Sequence, residues 1–347
     1  MPNITTARLA VHYREVPGRT GEPVLLVHGN VSDSSFWQRT MLDLPERYRP
    51  IAPDLRGFGA TEPLPVDARR GVRDYADDLL ALIEALDLGR VHLVGWSLGG
   101  GVALQLLRDH SALLRSVTLV NPVSPYGFGG THGLDGRLNA ADGAGSGGGA
   151  ANPEFVRRLA LGDAGDESPL SPRAVFTGCY VAGPVAGTDD WVAAMLTTRC
   201  GEDHYPGDSR PSESWPGFAP GARGVLNCLA PNHFRLADLE LVDPKPPILW
   251  VRGTEDVIVS DTSLFDLAHL GALGAVPHWP GEEVCPAQPM VAQTRAVLAR
   301  YAAAGGSVRE AAVAGAGHSV QLERPEEFLA ELVRVLAGPV SGLPGVG

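Results

Sequence analysis

The chain has 347 residues, 44% hydrophobic and 20% charged, which is typical of a globular protein with a sizeable core. Its formal net charge of −12 argues against nucleic acid and anionic membranes as partners, because contacts to phosphates require lysine and arginine. No basic N-terminal stretch precedes an apolar run, and no run of about 18 apolar residues occurs. We therefore expect a cytoplasmic protein without a signal peptide or membrane span.

Short apolar runs bounded by glycine, proline or aspartate are typical of strands buried on both faces of a parallel sheet. Such runs occur at residues 24–27, 51–53, 91–94, 117–120 and 248–251. Apolar residues recur at helical spacing through 75–86, and further helices are expected at 98–108 and near 291–304. This alternation of strands and helices predicts a doubly wound α/β fold.

The alternation stops within residues 123–246, which are rich in glycine and proline and contain Gly-Ser-Gly-Gly-Gly at 145–149. We interpret this segment as a cap inserted into a core formed by residues 1–122 and 247–347. The glycine tract is either a flexible loop or a loop that faces a ligand, and its composition favours neither. A second irregular stretch covers residues 263–289.

The sequence Val-His-Leu-Val-Gly-Trp-Ser-Leu-Gly-Gly at 91–100 predicts a strand, a Gly-x-Ser-x-Gly turn and a helix. Such a turn exposes the serine in a strained backbone conformation, where Gly95 and Gly99 have no side chains to collide. The N-terminus of the following helix favours developing negative charge beside Ser97. These features predict that Ser97 is a nucleophile.

This motif resembles that of the α/β-hydrolase superfamily, and the resemblance covers roughly residues 8–123 and 247–336. It implies a mostly parallel, doubly wound sheet of the α/β-hydrolase type with an inserted cap. In that superfamily an acid and then a histidine follow the nucleophile along the chain. A serine at this turn disfavours haloalkane dehalogenase or typical epoxide hydrolase activity, since those relatives use aspartate there.

The resemblance also implies the partners of the serine. Asp256 follows the last of the five strands in a Gly-x-x-Asp turn, whereas Glu255 would point to the opposite side of an extended segment. His318 stands in Gly-Ala-Gly-His, and Glu-Arg-Pro follows at 323–325. His318 would take the proton from Ser97 and return it to the leaving group, while Asp256 holds its imidazole in the required tautomer.

Two backbone N–H groups are implied as donors to an oxyanion. The residue after His-Gly in Leu-Val-His-Gly-Asn is Asn30, and the residue after the nucleophile is Leu98. His28 is expected to brace this turn and not to transfer protons. Trp96 and Val31 are candidate substrate-binding residues, although Trp96 could equally be a packing residue of the core.

The sequence thus predicts a hydrolase that forms an acyl-enzyme on Ser97, with no cofactor and no metal. The expected substrate is a small-molecule carboxylic ester or lactone with an apolar acyl or alcohol part. The same triad could instead cleave a carbon–carbon, thioester or amide bond, or act as a cofactor-free haloperoxidase. A non-enzymatic ligand receptor on the same fold is a further alternative. Glu-Asp-His at 202–204 is interpreted as a solvated loop, not as a metal site.

Overall fold

The computed structural model describes residues 2–338, so Met1 and the last part of the predicted core, residues 339–347, lie outside the described residues. Its centre is an eight-stranded sheet in the order β1-β2-β4-β3-β5-β6-β7-β8. The strands are Asn3–Thr5 (β1), Ala10–Glu15 (β2), Glu22–Val27 (β3), Tyr48–Pro53 (β4), Val91–Trp96 (β5), Leu114–Val120 (β6), Ile248–Gly253 (β7) and Val308–Val313 (β8). The pairs β1–β2 and β2–β4 are antiparallel, and the strands from β4 onwards pair in parallel.

Helices flank the sheet and fill its connections. The α-helices are Gln38–Asp43 (α1), Arg73–Ala85 (α2), Leu98–His110 (α3), Pro153–Ala160 (α4), Pro172–Val175 (α5), Thr188–Met195 (α6), Val225–Cys228 (α7), Leu267–Ala272 (α8), Met290–Ala303 (α9), Val320–Glu323 (α10) and Pro325–Leu336 (α11). The helix α3 packs on β5 and β6 and against α2, whereas α11 packs on β6 and β7 and against α1. Within residues 2–338, no helix combines the length and hydropathy that crossing a bilayer requires.

The predicted strands are all present, and each is longer than its apolar run. The side chains of the apolar runs are almost fully buried, as expected for a parallel sheet covered on both faces. The sequence did not predict β1, β2 and β8. Strands β1 and β8 lie at the two edges of the sheet, where half-exposed positions break up the apolar run that marks a central strand.

The segment 123–246 leaves the sheet at the end of β6 and returns at the start of β7, its parallel neighbour. The chain must therefore cross back to the opposite end of the sheet before residue 248. It does so through a short 3₁₀ helix, Leu239–Leu241, which packs along α9. The last part of the predicted cap thus lies against the core, and the earlier part carries α4 to α7 and three short strand pairs.

The loops after β3, β5, β7 and β8 all leave the same edge of the sheet, because these strands are parallel. Those loops carry Asn30, Ser97, Asp256 and His318, respectively. The carboxyl edge of a parallel α/β sheet is where such folds bind their ligands.

Candidate active site

Ser97 occupies the tight turn between β5 and α3. Its backbone has φ 56° and ψ −117°, in the positive-φ region that residues with a side chain seldom adopt. Strain of this kind costs on the order of 1–3 kcal/mol and persists only where the surroundings impose it. Here the Ser97 N–H donates to the carbonyl of Val120 at 3.0 Å, which ties the turn to the end of β6.

The two glycines of the motif allow the turn to approach its neighbours closely. A Cβ added to Gly95 would lie 2.2 Å from the Gly99 carbonyl oxygen. A Cβ added to Gly99 would lie 2.4 Å and 2.5 Å from the carbonyl oxygens of Val27 and His28. Both positions therefore require glycine because backbone atoms occupy the space of a side chain.

Asp256 and His318 form a buried hydrogen-bonded pair. The Asp256 Oδ2 lies 2.8 Å from the His318 Nδ1, and both side chains are almost completely excluded from solvent. The other oxygen, Oδ1, accepts the N–H groups of Ile258 at 2.8 Å and Val259 at 3.0 Å. A carboxylate fixed in this way accepts a hydrogen bond from Nδ1–H and leaves Nε2 of the ring as the free basic nitrogen.

Trp96 holds the loop of His318 beside the turn at Ser97. Its Nε1–H donates to the His318 carbonyl at 2.8 Å, and the Asn121 amide donates to the same oxygen at 2.7 Å. The indole stacks on Phe36, is completely buried and does not line the cavity above Ser97. The prediction that Trp96 contacts the substrate is therefore wrong, because its side chain packs in the core against Phe36.

His28 braces the turn that follows β3. Its Nε2 accepts the N–H of Leu55 at 2.9 Å, and its Nδ1 donates to the carbonyl of Gly29 at 2.8 Å. Burial lowers the pKa of His28, so the ring is held neutral in this tautomer. Both nitrogens are used by the backbone, which leaves none for proton transfer to a substrate.

The next residues of this turn reach the cavity. Asn30 and Val31 both line it, as does Leu98 after Ser97. Among residues 2–338, no hydrogen-bond acceptor is found for the backbone N–H of Asn30 or of Leu98. Buried N–H groups are rarely left unpaired, so these two donors are available to an oxygen atom of a ligand.

A cavity of about 520 Å³ lies above Ser97 and His318. Apolar residues of the segment 123–246 form much of its wall, including Phe128, Phe155, Val175, Tyr180, Leu226 and Leu229. No arginine, lysine, aspartate or glutamate is found among the lining residues in the described part of the chain. The cavity therefore suits an uncharged, largely apolar ligand.

Residues 145–148 of the glycine tract are buried, and Gly145 and Gly147 line the cavity. Its position favours the ligand-facing interpretation over the flexible loop. The sequence analysis did not predict a second wall of the cavity, which is formed by the stretch after Asp256. Its lining residues are Ile258, Val259, Leu264, Phe265, Leu267 and Leu270. The spacing of the three leucines indicated one apolar face, but the surrounding irregular sequence obscured it.

Two further polar groups of the sequence stabilise loops. Asp54 accepts the N–H groups of Ser34 and Ala60, each at 2.9 Å, and lies 2.7 Å from the His12 Nδ1. Residues 202–204 present carboxylates to the guanidinium of Arg223. Within the described residues, no group of three or more potential ligands is arranged to hold a metal ion.

Residues 22–138 match the family model of the alpha/beta hydrolase fold. The chain has the α/β-hydrolase fold. The chain is 37% identical over 138 residues to a putative carbamate hydrolase RutD of Variovorax paradoxus (strain S110), covering 40% of the chain and 52% of the relative. It is 35% identical over 118 residues to the 2-hydroxymuconate semialdehyde hydrolase of Pseudomonas sp. (strain CF600), covering 33% and 41% of the two chains. The aligned part thus spans about half the length of these relatives or less.

A longer alignment relates the chain to the 2-(acetamidomethylene)succinate hydrolase of Mesorhizobium japonicum (strain LMG 29417 / CECT 9101 / MAFF 303099). It extends over 267 residues at 27% identity and covers 77% of the chain and 82% of the relative. Solved structures share the fold over almost the whole chain. The enol-lactonase of Burkholderia xenovorans LB400 has a TM-score of 0.57 at 18% identity, and the superposition covers 97% of this chain and 100% of the lactonase. A serine hydrolase from Cycloclasticus zankles has a TM-score of 0.61 at 17% identity, and the superposition covers 98% of this chain and 99% of that hydrolase.

Proposed function

We propose that this α/β-hydrolase cleaves uncharged carboxylic esters or lactones that carry a large apolar group, through an acyl-enzyme on Ser97. The observation that carries the proposal is the apolar cavity of about 520 Å³ that opens onto Ser97 and His318. A charged ligand group buried there would lose its hydration without gaining a partner of opposite charge, which is strongly unfavourable. An ester or lactone loses little on entering such a site.

In the proposed reaction the Ser97 Oγ attacks the carbonyl carbon while the His318 Nε2 accepts its proton. The oxygen that becomes negative is stabilised by the N–H groups of Asn30 and Leu98, at the N-terminus of α3. Collapse of the tetrahedral intermediate releases the alcohol, which takes the proton from His318. Water, which gives a proton to the same base, then attacks the acyl-enzyme; the carboxylic acid is released and His318 returns the proton to the Ser97 oxygen. Asp256 keeps the imidazole in the required tautomer throughout.

We further propose that the segment 123–246 acts as a cap that selects the substrate. Six of the apolar wall residues named above belong to it, whereas its last part, near Leu239–Leu241, packs on the core. The selecting part is therefore the earlier portion of the segment. The wall formed by residues 258–270 completes the specificity surface from the core side.

The names of two relatives suggest other substrates, and the cavity disfavours both. Muconate and succinate derivatives carry carboxylates, as the names of the Pseudomonas and Mesorhizobium hydrolases state. Recognition of a carboxylate commonly uses a paired arginine. The described cavity wall has no arginine or lysine, so acidic substrates of this kind are disfavoured relative to neutral esters.

A matched pair of esters tests the proposal. p-Nitrophenyl hexanoate and the p-nitrophenyl monoester of adipic acid present similar chains, and only the second ends in a carboxylate. We expect kcat/KM to be about 100-fold higher for the hexanoate, because the cavity cannot pair the charge. Equal turnover of the two would overturn the proposed substrate class.

A second panel tests the bond that is cleaved. It compares an ester and a lactone with a thioester, an anilide, a carbamate and a β-diketone of the same acyl size. Ester or lactone turnover should dominate and should disappear in Ser97→Ala. Turnover confined to the β-diketone or the anilide would instead assign carbon–carbon or amide hydrolysis to the same site.

A further inference from the structure

Tyr180 of the cap contacts two separate parts of the proposed catalytic machinery. Its hydroxyl donates to the Asn30 carbonyl at 2.9 Å, and its backbone carbonyl accepts the N–H of Ser319 at 2.9 Å. Its ring lies edge-on to the rings of Trp96 and His318, with centroid distances of 5.9 Å in both cases. We propose that Tyr180 is a positioning residue that holds the oxyanion donor Asn30 and the base His318 in register. This inference rests on the function proposed above.

The Asn30 carbonyl is a sensitive point because a strained residue follows it. Val31 has φ 47°, a conformation that is particularly unfavourable for a β-branched side chain. Rotation of the peptide between Asn30 and Val31 would relieve that strain and would change the ψ angle of Asn30, the residue whose N–H is free. The hydrogen bond from Tyr180 opposes this rotation. It therefore restrains the backbone of Asn30, the residue that carries the proposed oxyanion donor.

Tyr180 is itself fixed on the histidine loop. The Glu323 carboxylate accepts the N–H of Ala182 and the N–H of Gly317, each at 2.7 Å. Together with the bond between Tyr180 and Ser319, these contacts fasten this part of the cap to the loop that carries His318. Burial raises the pKa of Tyr180, so its hydroxyl remains a donor at neutral pH. The cap thus acts as a rigid bridge between the oxyanion turn and the base.

Tyr301 provides a matched control for a purely structural role. Its hydroxyl donates to the Pro246 carbonyl at 2.7 Å in a buried site away from the cavity. Tyr180→Phe and Tyr301→Phe therefore each delete one buried hydrogen bond from a tyrosine to a backbone carbonyl and keep the ring. A loss of stability is expected from both changes, whereas a loss of oxyanion stabilisation is expected only from Tyr180→Phe.

The experiment measures kcat, KM and Tm with p-nitrophenyl hexanoate, together with inhibition by a trifluoromethyl ketone bearing the same chain. That ketone adds Ser97 reversibly and places an alkoxide where the oxyanion forms. For Tyr180→Phe we expect kcat to fall about tenfold, KM to change by less than about twofold and the inhibition constant to rise about tenfold. Tyr301→Phe should lower Tm and leave all three constants close to those of the wild type.

Wild-type kinetics in Tyr180→Phe would overturn the positioning role, as would kinetic losses that Tyr301→Phe shares. A failure of the proposed function is distinguishable, because the wild-type protein itself would then turn over no ester and bind no ketone. That result would remove this inference as well.

Discussion

The Nδ1 atom of His318 lies 2.8 Å from the Oδ2 atom of Asp256, although 62 residues separate the two in sequence. The pairing of β7 with β8 explains this proximity, because the two residues follow the ends of adjacent parallel strands. Ser97 follows β5 at the same edge, with β6 between. The sheet topology therefore brings together three side chains that are distant in sequence.

Replacement of Asp256 by asparagine should reduce kcat by about 10³–10⁴-fold while changing KM little. The asparagine amide would donate to Nδ1 and so favour the wrong tautomer of His318. Asp261→Asn is the control, since its carboxylate accepts the N–H groups of Val291 and Ala292 at the start of α9. Steady-state kinetics of both variants should show the loss in Asp256→Asn alone. Equal losses would exclude Asp256 as the orienting acid.

Much of this site could be predicted because its chemistry is encoded locally. The turn at Ser97 requires small neighbours for steric reasons, and these appear in the sequence as Gly95 and Gly99. The direction of Trp96 could not be predicted, because an apolar residue beside a nucleophile can face either the cavity or the core. Its stacking on Phe36 depends on tertiary contacts that no local pattern records.

The central strands of the fold could also be predicted from the sequence, but its edge strand β8 and the cavity wall at 258–270 could not. Central strands are continuous apolar runs, whereas the edge strand β8 alternates irregularly and buries few of its side chains. The cavity wall at 258–270 lies in a stretch with little regular structure besides α8. Its residues converge on the cavity through the tertiary fold, and the spacing of its three leucines was too short a pattern to indicate their role.

A larger side chain at Ala174 should shorten the range of acyl chains that the protein accepts. Ala174 lies on α5 and lines the cavity, so Ala174→Phe would occupy part of its volume. We expect kcat/KM for a dodecanoate ester to fall about tenfold or more relative to an acetate ester. The measurement is a series of p-nitrophenyl esters of increasing chain length.

The matched control for that change is Ala193→Phe, which places the same side chain on α6 at an exposed position of the segment 123–246. Its chain-length profile should match that of the wild type. A shifted profile in Ala193→Phe, or an unchanged one in Ala174→Phe, would contradict the assignment of this cavity as the acyl site.

Replacement of Gly99 by alanine should destabilise the fold by about 3 kcal/mol or more, because the new Cβ would overlap two backbone oxygens. Gly183→Ala is the control, since a Cβ there meets no atom within 4 Å. Its effect on the free energy of unfolding should stay within about 0.5 kcal/mol. Urea denaturation of both variants measures the difference. A Gly99→Ala protein as stable as the wild type would contradict the close approach of α3 to β3.

Asp54 should make stability depend on pH in the acid range. Burial acts to raise the pKa of Asp54, but hydrogen bonds from His12, Ser34 and Ala60 and the nearby His28 outweigh it and lower the pKa to about 2. Because the folded-state pKa lies below the ordinary value, this carboxylate stabilises the fold above pH 4, by about 2 kcal/mol. That contribution is lost as the pH falls toward 2, and about half has gone by pH 3.

Urea denaturation of the wild type and of Asp54→Asn at pH 7, 4 and 3 tests this account. The wild type should be the more stable protein at pH 7, and its advantage should shrink between pH 4 and pH 3. An advantage that is independent of pH over this range would show that Asp54 acts without titrating.

The identity of the nucleophile is tested most directly by a fluorophosphonate probe followed by peptide mass spectrometry. The probe phosphonylates an activated serine and should modify one site, Ser97, with one equivalent per chain. The Ser97→Ala protein should keep its Tm and take up no label, and His318→Ala should react far more slowly because the base is missing. Stoichiometric labelling of a different residue, or label retained by Ser97→Ala, would contradict the assignment.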